Sequence, residues 1–247
     1  MKIVKLPWAS IKIELNDSSV VIDPFYHFPS DLGTPSGELY PLDDFGKTDA
    51  VLLTHVHPDH YDPVAIKQFY GESIPIYVPL ETLEYVKGHG FTSVIGVSLH
   101  EIIKVGAFTV TPTFSVDGLG DPQIAWIVSA NGKKIIHCGD TLWHGFWWRI
   151  KNEHGPFHAA FLPVNGPVVD LPFIKPSSNE PIVMTPEQAV SAAMALEAEV
   201  LVPIHFDLVN NPPFYTPAKD IRNRVTHSAH EKNMTVKWLE TKETFML

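Results

Sequence analysis

The sequence predicts an α/β protein in which two β-layers are covered by helices, and three observations carry that prediction. Period-two apolar runs dominate the first half, and helix-start signals recur in both halves. Hydrophobic residues make up 45% of the 247 residues against 19% charged, enough apolar material for a sizeable core. No repeat, low-complexity tract or Gly/Ser linker divides the chain, so residues 1–247 read as a single domain.

Taken in order, Ser10–Leu15 alternates with period two, and Ser19–Asp23 follows the turn signal Asn16-Asp17. Residues 24–46, rich in proline, glycine and aromatics, read as a long ordered loop. Asp49–Thr54 is a continuous apolar run suited to a strand buried on both faces, and it leads straight into His55. Asp62-Pro63 supplies an N-cap and first helical residue for a helix to Tyr70. Ile74–Val78 reads as a strand and Leu80–His89 as a helix. The next strands are Ala107–Phe114, Gln123–Ser129 and Lys133–His137, the last two joined by the hairpin signal Asn131-Gly132. Thr185-Pro-Glu-Gln188 is a capping box opening a helix to about Ala198. A buried strand, Glu199–Ile204, ends at His205; Thr216-Pro217 opens a last helix to about Asn233, and Thr235–Leu239 closes as a strand.

Composition narrows the function classes. No apolar run approaches the ~18 residues of a membrane span, and Met1–Leu15 alternates polar and apolar residues instead of forming a signal peptide. One cysteine, Cys138, excludes an internal disulfide framework and a cysteine-based zinc knuckle. The cytoplasm is the simplest compartment. The net charge of −10 lacks the footprint of a nucleic-acid binder, so the expected partner is a small-molecule substrate, with neither nucleic acid nor membrane; a homo-oligomer is left open. Thirteen histidines are the unusual feature of this composition, and imidazole with carboxylate suits borderline metals such as zinc.

The sharpest signal is Thr54-His55-Val56-His57-Pro58-Asp59-His60-Tyr61-Asp62, just after a buried strand. His55 and His57, two apart in extended chain, point the same way and can share one metal. Asp59 and His60 follow the break at Pro58 and can turn toward a second cation. Desolvating so many imidazoles in a metal-free loop would be costly. Two further strand ends add His137-Cys138-Gly139-Asp140-Thr141 and Pro203-Ile204-His205. Alone, each would read as a turn aspartate or a packed histidine; together they place His and Asp groups where open sheets build sites.

With these residues assembled, the sequence resembles the metallo-β-lactamase-fold hydrolases, in the branch of ascorbate phosphate lactonase-like and N-acyl-phosphatidylethanolamine phospholipase-like proteins. The resemblance runs through Val21–Pro24, Thr54–Asp62, Gly139–Thr141, Thr185–Ala189 and Pro203–His205. It implies a four-layer αβ/βα sandwich with metals at one edge between two sheets. It also implies that His55 and His57 serve a first metal, Asp59, His60 and His205 a second, and Asp140 bridges them. One departure stands out. The family supplies another histidine to the first metal, whereas Thr113–Gly118 contains none; Ser115 or Phe114 takes that position. Three outcomes are open: a weak first site, a harder ion such as Mn2+ with water filling the gap, or Asp117 reaching in as a substitute.

The expected reaction is attack by a metal-activated hydroxide, on one or two Zn2+ or other divalent ions, at a small-molecule ester, lactone or phosphoester. Asp59 is the expected catalytic carboxylate, orienting or deprotonating the water. The alternatives are a phosphodiesterase or nuclease of the same fold, or a non-catalytic metal-binding protein with a degenerate first site. Substrate contacts are less legible: His27 in the loop after Pro24, Arg149 beside a tryptophan-rich run, and Ser115 and Asp117 at the altered strand end are the candidates.

Overall fold

The computed structural model describes residues 1–247 and resolves the two β-layers into two seven-stranded mixed sheets. The first holds β1 (Lys2–Lys5), β2 (Ile11–Leu15), β3 (Ser18–Ile22), β4 (Ala50–Leu52), β5 (Ile76–Pro79), β6 (Val94–Val97) and the last strand of the chain, β16 (Thr244–Met246). Its order is β16-β1-β2-β3-β4-β5-β6. The second holds β7 (Ile103–Val105), β8 (Phe108–Phe114), β9 (Ile124–Ala130), β10 (Lys133–His137), β11 (Ala159–Pro163), β13 (Val200–Ile204) and β15 (Thr235–Val236). Its order runs β15-β13-β11-β10-β9-β8-β7. A small ribbon pairs β12 (Val168–Val169) with β14 (Tyr215–Thr216).

Alternation along the strands decides which apolar layer each residue joins. In β3 and β4, Val20, Ile22 and Leu52 face the second sheet, where they meet Trp126, Val128, Phe161 and Val202 in the central core. Val21, Val51 and Leu53 turn outward and are covered by α1 (Pro63–Tyr70) and α2 (Leu83–Gly88) through Ala65, Ile66 and Val86. On the far side Ile127, Ile136, Leu162 and Leu201 pack against α3 (Trp147–His154), α4 (Pro186–Ala195) and α5 (Ile221–Glu231). The result is four layers, helix–sheet–sheet–helix. No helix is long and apolar enough to cross a membrane.

The chain shows no sequence repeat, yet its topology repeats. Each sheet is a run of antiparallel pairings, β16 to β3 and β7 to β10, continued by parallel strands, β4 to β6 and β11, β13, β15. Strands β3, β4, β10 and β13 end near one rim and hand over to Asp23, Thr54-His55, Gly139-Asp140 and His205.

Local signals set most boundaries. Asp62 caps α1 by accepting from Ala65 N at 2.9 Å, and Thr185 and Gln188 complete the capping box of α4. Asn131 and Gly132, both at positive φ, close the β9–β10 hairpin. Three expectations need correction. Thr216 lies in β14, its backbone paired with Val168, and the final helix starts only at Ile221 after a left-handed Asp220. α4 stops at Ala195, where Glu197 at φ 52° turns the chain, and β15 is confined to Thr235–Val236. The strands β1, β6, β7, β11, β12, β14 and β16 have no counterpart among the strands named from sequence.

Candidate metal centre

The pattern around His60 shows how the fold aims a ligand. Its Nδ1 lies 2.9 Å from Asp23 Oδ2, a buried carboxylate at the end of β3 that also accepts from Thr54 N at 2.7 Å and Thr54 Oγ1 at 2.6 Å. With its hydroxyl proton given to Asp23, Thr54 Oγ1 accepts from His55 Nδ1 at 2.9 Å. On β13's end, His205 Nδ1 bonds Asn165 Oδ1 at 2.9 Å, and Asn165 Nδ2 donates to Tyr215 Oη at 2.7 Å. These partners place a ring proton on Nδ1 in all three residues and turn Nε2 toward the buried carboxylates.

Those three Nε2 atoms are buried and have no hydrogen-bond partner, nor does Asp140 Oδ1. Yet they crowd together. Asp140 Oδ1 lies 2.8 Å from His60 Nε2, and its Oδ2 lies 2.9 Å from His205 Nε2 and 4.0 Å from His55 Nε2. Asp59 Oδ2 sits 3.8 Å from His60 Nε2 and 3.6 Å from His205 Nε2. Buried imidazole nitrogens and carboxylate oxygens that converge on one point without aligned hydrogen bonds are what a divalent cation needs, and the ligand set is imidazole plus carboxylate. Asp59, His60, Asp140 and His205 therefore fit one metal.

A second group adjoins it. His55, His57 and Asp117 bring one ligand atom each within 4.8 Å of one another. His57 reverses the ring usage: its Nε2 is held by Asp121 Oδ2 at 2.9 Å, and its Nδ1 faces Asp117 Oδ2 at 3.9 Å. Backbone N–H groups of Leu119 and Asp121 fix Asp117 Oδ1 at 2.7 and 3.2 Å, which leaves Oδ2 free to turn inward. Gly118 permits that turn to press on Ile182, whose carbonyl oxygen would lie 1.9 Å from a Cβ at this position.

Ser115 is otherwise engaged. Its hydroxyl donates to Cys138 O at 2.9 Å and accepts from Gln123 Nε2 at 2.7 Å, so no lone hydroxyl faces the ligands. Gly139, at φ +58°, lets β10's end pass against Thr54; a Cβ there would lie 2.6 Å from Thr54 Oγ1.

Charge follows this geometry. Burial would raise the Asp140 carboxyl, but His205 and His60 hold it well below the usual carboxylate range; Asp59 is lowered likewise, chiefly by His60. Burial works against a proton on His60 and His205, yet the carboxylates outweigh it and lift both above the ordinary imidazole range. Burial and the neighbouring His60 push His55 well down. The negative potential that keeps protons on His60 and His205 is the potential a cation would neutralise. Three contributors adopt left-handed backbone without being glycine: Trp8 (φ 61°), Asp23 (φ 49°) and His205 (φ 60°). Such strain gathers where geometry is held for function.

The family model described as beta-lactamase superfamily domain matches residues 19–206. The chain belongs to the beta-lactamase superfamily. A UPF0173 metal-dependent hydrolase from Geobacillus sp. (strain WCH70) is 29% identical over 220 residues, covering 84% of this chain and 86% of that protein. Among solved structures, the isothiocyanate hydrolase from Delia radicum gut bacteria superimposes with a TM-score of 0.80 at 21% identity, covering 100% of this chain and 99% of the other. Igni18, a metallo hydrolase from Ignicoccus hospitalis, gives 0.75 at 23% identity, covering 100% and 98%. The architecture is the metallo-β-lactamase fold.

Within this superfamily member, the remaining candidate residues lie apart from the centre or are tied to other partners. His27 Nδ1 pairs with Asp62 Oδ2 at 2.9 Å and is half exposed. Arg149 bonds Glu153 at 2.8 Å and lies over the Phe114 ring at 4.7 Å. His137 is a packed histidine, its Nε2 bonded to Ala9 O at 2.8 Å, and the Cys138 thiol is buried and raised by that burial. Sequence reasoning missed Trp8, Asn165, Asp121 and Gln123, none of which carries a local motif. Asp23 did have a signal, the quoted Val21–Pro24 run.

Proposed function

We propose that this superfamily member hydrolyses a small-molecule ester, lactone or phosphoester with two divalent cations, Zn2+ in the position made by Asp59, His60, Asp140 and His205. The observation that carries this reading is the convergence of buried, unpartnered His55, His60 and His205 Nε2 atoms on Asp140. Bound cations would lower the pKa of water from 15.7 toward about 7 and polarise a carbonyl or phosphoryl oxygen. The chain supplies the remainder. Asp59, kept ionised, orients the attacking water; Trp8 Nε1 donates to its Oδ2 at 3.0 Å and fixes the position of the carboxylate. Asp140 would be shared between the two positions, since it lies beside His60 and His205 and its Oδ2 is also 4.0 Å from His55 Nε2.

Asp117 supports a second reading about the ion itself. An oxygen donor in place of imidazole makes the His55–His57–Asp117 position harder, which favours Mn2+ there. The resemblance to the lactonase-like branch supports lactones or phosphorylated sugar derivatives as the first substrates to try.

The test is a panel of lactones, carboxylic esters and phosphodiesters, assayed as purified, after chelation and after adding back Zn2+ or Mn2+. Turnover should vanish on chelation and return with metal, and Asp59→Ala and Asp140→Ala should each abolish it while keeping the folded circular dichroism spectrum. Undiminished turnover in Asp140→Ala overturns the assignment; metal binding without turnover of any ester favours a non-catalytic metal protein.

A further inference from the structure

Outside the centre, the turn after β6 and the end of α3 bring together His100, Glu153 and His154. His100 Nδ1 lies 3.4 Å from His154 Nε2 and 3.6 Å from Glu153 Oε2, and His154 Nε2 lies 3.8 Å from the same oxygen. Two ligands on a tetrahedral zinc with bonds of about 2.0–2.1 Å stand about 3.3–3.4 Å apart, so this triangle closes around an ion with small adjustment. We propose that His100, Glu153 and His154 form a peripheral site for Zn2+ or a similar borderline divalent cation, open to solvent and separate from the central cluster.

The supports are built in. Arg149 Nε bonds Glu153 Oε1 at 2.8 Å, which orients the carboxylate and leaves Oε2 for the imidazoles. His100 N donates to Pro112 O at 2.8 Å, and Lys134 Nζ donates to the His154 carbonyl, pinning both backbones to the second sheet. The rings of His100 and His154 lie 15° from parallel, and His100 packs edge-on against Phe114. With side chains 35%, 37% and 19% exposed, the site has an open fourth position for water. An ion here would staple the end of α3 to the β6–β7 turn.

Zinc titration of the full chain by calorimetry tests the site, independently of any hydrolytic reading. The double variant His100→Asn with His154→Gln suits it, since asparagine tolerates the left-handed backbone of His100 (φ 68°). The variant should bind one zinc equivalent fewer than the wild type, with central-site turnover and melting temperature of the metal-free chain unchanged. Glu153→Gln, which removes the anionic ligand, should weaken the same equivalent about tenfold or more, at least what removing a group that only supports a ligand costs. Equal zinc counts in wild type and double variant would overturn the proposal.

Discussion

The Trp8 indole donates to Asp59 Oδ2 at 3.0 Å while its ring lies 3.9 Å from that of His205, so one side chain braces two members of the metal cluster. Trp8 is itself held on a tight loop: the Lys5 ammonium, 3% exposed, reaches the carbonyls of Leu6, Trp8 and Ser10. Trp8→Phe keeps an aromatic ring against His205 and deletes only the donor. A hydrogen bond to a charged group contributes about 1.5–3 kcal/mol, so kcat should fall roughly ten- to a hundredfold. Zinc stoichiometry should stay unchanged. Steady-state kinetics beside metal counting check this, and an unaltered kcat would free Asp59 from any dependence on Trp8.

Asp117 invites a chemical exchange. Asp117→Asn keeps the shape and the acceptor for Leu119 N but removes the anionic oxygen facing His57. It should lose one tightly bound metal equivalent, and Asp117→His, which restores an imidazole donor, should recover binding with preference shifted from Mn2+ toward Zn2+. Elemental analysis after gel filtration, with Mn2+ followed by electron paramagnetic resonance, reads both. Full retention in Asp117→Asn would remove the residue from the ligand set.

Most of the centre was legible because ligands of one metal cluster tend to be local. His55, His57, Asp59 and His60 sit in one six-residue stretch, and Asp140 and His205 each end an apolar run. The pairings that hold them were not legible, even for Asp23, whose own motif was. Asp23 meets His60 across 37 positions, Asn165 meets His205 across 40, and Trp8 meets Asp59 across 51. No periodicity encodes pairings made only when two sheets stack. The same holds for the fold: alternating strands announced themselves, whereas β16 is a strand only because β1 offers it an edge.

Metal uptake should release protons. In the metal-free chain burial disfavours charge on His60 and His205, but Asp140 and Asp59 prevail and raise both above the ordinary imidazole range, so each holds a second ring proton to higher pH than a free imidazole does. A ligating imidazole must be neutral, hence binding displaces those protons and apparent affinity rises with pH, about tenfold per pH unit for each proton displaced. His55, held low, contributes none. Calorimetry in buffers of differing ionisation enthalpy counts the protons. Affinity flat from pH 6 to about pH 8 would contradict the linkage.

Gly139→Ala probes how closely the two sheets must approach at the rim. The new Cβ would stand 2.6 Å from Thr54 Oγ1 and 2.9 Å from Thr54 Cβ, on backbone at φ +58° that disfavours any side chain. Left-handed backbone alone costs about 1–2 kcal/mol outside glycine, and Thr54 can yield only by giving up Asp23 or His55. The variant should therefore melt several degrees lower and bind metal more weakly, because the displaced hydroxyl no longer sets the His55 tautomer. A control on the same turn, Thr141→Ser, keeps the hydroxyl that Val116 N bonds at 3.2 Å and should leave both readouts near wild type. Thermal denaturation with and without added Zn2+ separates the effects: loss of the melting temperature alone indicates packing strain, and loss of the zinc-induced increment indicates a misaligned ligand.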